Sequence, residues 1–198
     1  MNSTPERSLN LPNAITFSRL LLSFVLFALM QAGSCWLMAA GLFVFAVLTD
    51  VLDGWIARRY NLITQLGRIM DPFVDKFITS GTFLFLLPVT QQSGVTPWMV
   101  IIVLGREMLV TSLRGFLEQR GADFSASFSG KLKMFLQCVA ATAAILSMHP
   151  PVAEWSVGGI AFTTVRDVLL WSMVAVTAWS GCDYVRRAAT LLRGLAAC

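Results

Sequence analysis

Residues 50–75 read DVLDGWIARRYNLITQLGRIMDPFVD and carry four carboxylates in two pairs. Asp50 and Asp53 are three residues apart, and Asp71 and Asp75 are four apart. Each spacing sets a pair on one face of a helix. Gly54, Ala57 and Arg58 follow Asp50 at offsets of four, seven and eight, so they extend its stripe. Gly67 precedes Asp71 by four and extends the other. The chain on either side is almost entirely apolar. Acids held at such a border point to a ligand that needs them.

The composition explains the border. Of 198 residues, 56% are hydrophobic and only 13% charged, whereas soluble domains carry about 25% charged residues. That balance points to an integral membrane protein, one domain of several spans. The formal charge of +4 is modest, and no nucleic-acid partner is expected. Cys35, Cys138, Cys182 and Cys198 are scattered without C-x-x-C spacing, which argues against a disulfide framework or a thiolate metal site. No cleavable signal peptide is expected. His149, the single histidine, is assigned no chemistry.

Six apolar segments follow one another, at residues 20–32, 36–57, 72–89, 97–117, 132–148 and 162–184. Backbone groups in lipid must bond internally, so these are expected as helices. Residues 1–9 are expected to be disordered. Residues 10–19, NLPNAITFSR, suit a short amphipathic helix at the membrane surface, and the first apolar segment is short unless residues 14–18 join it. The expected fold is therefore an all-α integral membrane protein, with six transmembrane helices after an N-terminal interfacial amphipathic segment. Its membrane domain covers residues 10–185, and residues 186–198 form a cytoplasmic tail. The connections at 31–34, 91–96 and 149–159 carry one acid, Glu154, and no Lys or Arg. Those at 58–68, 118–133 and 186–193 are rich in Arg and Lys. The positive-inside rule places both termini and the acidic loop in the cytoplasm.

Helices joined by a tight loop lie antiparallel, so the four carboxylates converge at one edge of the bilayer. Unpaired, they would repel each other and suffer desolvation. Hard divalent cations with oxygen ligands relieve both problems, and two of them clamp a phosphoryl or diphosphate group. Gly54 removes a side chain where a ligand approaches the helix. Arg58 suits a phosphate or an acid. The plain alternative makes the acids interfacial charges that cap helix ends or pair with Arg58, Arg59, Arg68 and Lys76. Four acids on two adjacent stripes argue against it.

The pattern Asp50-x-x-Asp53-Gly54-x-x-Ala57-Arg58, eight residues, then Gly67-x-x-x-Asp71-x-x-x-Asp75 resembles the CDP-alcohol phosphatidyltransferase signature at every fixed position. NLPNAITFSR is similar to that family's N-terminal segment. GREMLVTSLR, GKLK and SGCDY are similar to its glycerol 3-phosphate branch. The resemblance implies transfer of a phosphatidyl group from CDP-diacylglycerol to glycerol 3-phosphate, with release of CMP. It implies that Asp50, Asp53, Asp71 and Asp75 ligate two divalent ions, Mg²⁺ or Mn²⁺, with Asp75 also the general base. Gly54, Arg58 and Thr64 would contact the donor, and Pro12, Asn13 and Thr16 would close over its cytidine. A homodimer in a bacterial cytoplasmic (inner) membrane, with the site at the cytoplasmic face, is implied as well. One departure is Met134 after GKLK, where the branch commonly has Thr.

A second polar cluster lies in the fourth apolar segment and at the start of the fifth. Arg106, Arg114, Lys131 and Lys133 suit a basic pocket for the acceptor's phosphate, with Glu107 orienting an arginine. The competing reading is an internal Arg–Glu pair with snorkelling lysines. Asp183 and Tyr184 support the site or the fold, and Arg166 and Asp167 are expected to pair on the external side. Two other functions compete. One is a cardiolipin-forming member of the same family that uses phosphatidylglycerol as acceptor. The other is a divalent-cation transporter, against which stands the clustering of the acids at one edge.

Overall fold

The computed structural model describes the backbone at residues 11–60, 65–118, 128–157 and 159–196, and side chains at 16–50, 70–117, 129–156 and 159–193. The expected disordered N-terminus, residues 1–9, and the loop residue Thr64 lie outside the described residues. The chain divides into two compact units, Met1–Phe85 and Leu86–Cys198.

The first unit holds α1 (Leu11–Ala32), α2 (Trp36–Tyr60) and α3 (Gln65–Leu86). The segment expected as a separate surface helix differs from expectation. From Leu11 onward it is continuous with the first apolar segment in a single 22-residue helix. The physical reason lies on one face. Thr16, Arg19 and Ser23, at helical spacing, are buried together with Leu26 and Met30 further along. α1 packs on α2, where Ala39, Ala40 and Ala46 keep the surface low.

Its contact with α3 is aromatic. Phe27 stacks on Phe85 with centroids 4.9 Å apart and meets Phe77 edge-on at 5.6 Å. Gly81 makes room for this. A Cβ there would lie 2.8 Å from Cε1 of the Phe27 ring and closer still to its Cζ. α3 carries Pro72 within the helix, one residue after Asp71, and a proline there has no N–H to give the preceding turn.

The second unit begins with a 3-10 turn, Leu87–Val89, and the short α4 (Thr90–Ser93). Then come α5 (Pro97–Glu118), α6 (Phe128–Leu146), the short α7 (Pro150–Ala153) and α8 (Phe162–Ala196). α8 packs on both α5 and α6. A two-residue antiparallel pair, β1 (Ser156–Val157) with β2 (Ile160–Ala161), precedes α8. The 35-residue α8 runs twelve residues past the expected end of its apolar segment at Tyr184.

Arg166, 6% exposed, ties the beginning of α8 to its neighbours. Its guanidinium donates to the Gln92 carbonyl, to Ser147 Oγ at 3.3 Å and to Asp167 Oδ1 at 2.8 Å. The expected Arg166–Asp167 pair is present, with a wider role. Gly94 sits beside it with φ +72°, where a Cβ would come within 2.8 Å of Arg166 Nε.

Among the described residues the fold is all-α apart from β1 and β2. Two runs among the described residues, Met70–Ser93 and Phe162–Arg193, are long and apolar enough to cross a membrane. Thr16–Ala32 and Trp36–Asp50 are shorter apolar helices. Many large apolar side chains face outward, among them Leu21, Met38, Trp98, Met108, Phe135 and Trp171. Such a surface suits lipid as its solvent.

The Phe27–Gly81 contact yields a test. Gly81→Ala should lower stability by about 1–3 kcal/mol through overpacking. Adding Phe27→Leu should return part of it. Thermal unfolding of the single and double variants in detergent measures both.

Candidate active site

In the first unit α1 reaches both acid pairs. Thr16 Oγ1 donates to Asp71 Oδ1 at 2.5 Å. Arg19 donates to Asp50 Oδ1 and forms an ion pair with it. Thr16 and Arg19 are about one helical turn apart, so α1 draws an acid of α2 and an acid of α3 to neighbouring places on one face. Arg19 is 2% exposed. A guanidinium taken so far from water requires a carboxylate partner, and Asp50 supplies it.

Asp50 therefore takes a cation of the protein as partner, the arginine of α1. The side chains of Arg58, Arg59 and Arg68, also candidate partners, lie outside the described residues. Asp71 is exposed and Asp75 partly buried at the first turns of α3. Thr79 Oγ1 donates to the Asp75 carbonyl at 2.9 Å, anchoring the next turn.

Asp53, Gly54 and Arg58 lie in α2, and Pro12 and Asn13 in α1, but their side chains are outside the described residues. Among the described residues, no three His, Cys, Asp or Glu side chains lie close enough to cage a metal ion. The donor chemistry nevertheless fits a hard divalent cation. Asp50, Asp71 and Asp75 offer only oxygen, and each carboxylate has two oxygens with several lone pairs. Thr16 and Arg19 engage one oxygen of Asp71 and one of Asp50. Partners of that kind orient ligating carboxylates.

The second unit holds the other polar cluster. Glu107 on α5 forms ion pairs with Arg106, at 3.3 Å, and with Lys133 of α6. Arg106 Nε also donates to Ser180 Oγ at 3.0 Å, and its guanidinium carbon lies 5.2 Å from the centre of the Tyr184 ring. The cation–π contact and the ion pair hold Arg106 in one pose. Next to it Ser129 donates to Asp183 at 3.1 Å, and Arg187 donates to the same carboxylate at 3.2 Å.

Of the four basic residues singled out in the sequence, the structure gathers two, Arg106 and Lys133, on Glu107. Lys131 is exposed, two residues from Lys133 and so on a different face of α6. Arg114 lies two turns along α5 from Glu107. Its buried Nε has no hydrogen-bond partner among the described residues.

Three contributors escaped the sequence reading. Arg19 and Ser180 meet their partners over 31 and 74 residues, beyond any local spacing rule. Gln137, 2% exposed, has a buried Nε2 with no hydrogen-bond partner among the described residues. It falls one turn after Lys133 on the same face. Arg19 had one usable signal: it is the single cation of α1, in phase with Thr16.

Comparison with known proteins gives the family of the chain. Residues 9–179 match the sequence profile of the CDP-alcohol phosphatidyltransferases. A Bacillus subtilis protein named CDP-diacylglycerol–glycerol-3-phosphate 3-phosphatidyltransferase is 34% identical over 190 residues, covering 88% of this chain and 93% of its own. A Rickettsia typhi protein of the same name is 33% identical, over 91% of this chain and 98% of its own. A Mycobacterium tuberculosis protein named probable phosphatidylglycerophosphate synthase is 33% identical, over 96% and 86%. With its two acid pairs, the glycines between them and a match over most of its length, this chain belongs to the CDP-alcohol phosphatidyltransferase family.

Proposed function

We infer that this chain transfers the phosphatidyl group of CDP-diacylglycerol to sn-glycerol 3-phosphate, giving phosphatidylglycerophosphate and CMP. The relatives at 33–34% identity carry names for that reaction. The observation that carries the reading is α1 touching Asp50 and Asp71 at once. Acids from two helices are thereby held at one place.

The roles follow from chemistry. Asp50, Asp53, Asp71 and Asp75 would hold two divalent ions, Mg²⁺ or Mn²⁺. Such ions neutralise the charge that builds on the departing CMP. Asp75 also takes the proton of the attacking glycerol 3-phosphate hydroxyl as the new P–O bond forms and the bond to CMP breaks. Gly54 leaves room for the diphosphate. Arg58, Thr64, Pro12 and Asn13 contact the CDP portion. Thr16 steadies Asp71 and borders the same space.

In this reading six helices span a bacterial cytoplasmic (inner) membrane and the acids face the cytoplasm, where water-soluble glycerol 3-phosphate arrives. The chain works there as a homodimer. A phosphatidylglycerol acceptor is the second reading. Arg114 weighs against it, because a buried guanidinium nitrogen with no hydrogen-bond partner among the described residues suits a phosphate dianion better than a diester's single charge.

Three measurements test this account. Chelation should abolish CMP release, and Mg²⁺ or Mn²⁺ should restore it, because oxygen-only sites favour hard cations. Asp71→Asn should stay inactive with either ion, and full turnover without metal would sink the assignment. For the acceptor, Arg114→Ala should weaken glycerol 3-phosphate use by about 2–5 kcal/mol in transition-state stabilisation, with CDP-diacylglycerol dependence little changed. Arg114→Lys should recover only part, since a fork becomes a point charge. An unchanged acceptor dependence in both would move the phosphate elsewhere, and faster CMP release with phosphatidylglycerol would favour the second reading. For sidedness, a cysteine placed at 61–65 should react with an impermeant thiol reagent from the cytoplasm only, and one at 91–96 from outside only. Reversed labelling would invert the orientation.

A further inference from the structure

Within the second unit α5 and α8 part to leave a groove of about 500 Å³. Ile102, Leu109, Ala178 and Val185 give it apolar walls, and Gly105 and Gly181 deepen it. Ile102 to Leu109 spans roughly 10 Å of helix and Thr177 to Arg186 roughly 14 Å. That approaches the hydrocarbon depth of one leaflet, about 15 Å. Leu109 and Val185 are 45% and 43% exposed, so the groove opens outward.

One end is charged. Arg186 lines the groove and is exposed. Its guanidinium has no ion pair or side-chain hydrogen bond among the described residues, whereas Arg187 is held by Asp183 and Arg106 by Glu107. An apolar trough ending in an uncompensated cation has the polarity of a phospholipid with a negative head group.

We propose that the α5–α8 groove is a docking site for an anionic diacyl phospholipid, one acyl chain lying along Gly105 and Gly181 with its phosphate against Arg186. A chain in the groove gains little over a chain in the bilayer, since lipid tails are as apolar as the groove walls. Selectivity must therefore come from the head group. One cation at the membrane surface is worth about a fivefold preference for negative lipid. Gly105 offers a probe, because it lines the groove and a Cβ there meets nothing within 4 Å, so a side chain added at this position starts into open space.

The test is native mass spectrometry of the full chain in detergent, titrated separately with phosphatidylglycerol and with phosphatidylcholine of the same acyl chains. The wild type should take one lipid with about fivefold preference for phosphatidylglycerol. Arg186→Glu, on an exposed position, should erase the preference while the protein melts as before. Gly105→Phe should remove the adduct with either lipid. Equal adducts of both lipids on the wild type would overturn the proposal. So would a phosphatidylglycerol adduct that survives Gly105→Phe. Dissociation of a dimer by Gly105→Phe would also overturn it, by making the groove a seam between two copies.

Discussion

A cation buried in an apolar helix has to find its counter-charge inside the protein. Water is absent on the lipid side, and a lone buried charge is worth several kcal/mol against the folded state. Arg19, Lys133 and Arg166 are all at least nine-tenths buried, and each is answered: Arg19 by Asp50, Lys133 by Glu107, and Arg166 by Asp167 together with the Gln92 carbonyl. Breaking such a pair by removing one member typically costs about 3–5 kcal/mol. These pairs therefore fix which helix faces meet within each unit, where apolar packing alone would tolerate sliding.

The same constraint shapes the chemistry. Asp50 is at once the counter-charge of Arg19 and a member of the signature motif. One carboxylate is thus shared between the packing of α1 and the family's motif on α2. Thr16, a turn earlier, holds Asp71 by a hydroxyl hydrogen bond to its carboxylate. Thr16 and Arg19 thus orient one acid from each of two helices on the same side of α1. In the second unit, Glu107 spends its charge on Arg106 and Lys133, so Arg114 keeps the buried nitrogen that nothing described satisfies.

Much of this was legible in the sequence because it is local. The apolar runs gave the helices, the spacing of three and four gave the paired acids, and eight fixed positions gave the family. What was not legible depends on distant contacts. The shortness of the first apolar run already hinted that residues 14–18 join it, but what decides the union is burial of Thr16 and Arg19 on partners 55 and 31 residues away. Spacing alone sets Lys131 and Lys133 on different faces of a helix, but which of the two meets Glu107 depends on how α6 packs. The β1–β2 pair had a local signal, Gly158–Gly159 between apolar residues, that a search for spans passes over.

The most direct test of the central claim traces atoms. The purified chain would be given CDP-diacylglycerol, deuterated glycerol 3-phosphate and Mn²⁺, and its lipids read by mass spectrometry. The account predicts phosphatidylglycerophosphate carrying the deuterium, in step with CMP and lost in Asp50→Asn. CMP released without deuterium entering the lipid, or labelled product undiminished in Asp50→Asn, would contradict it.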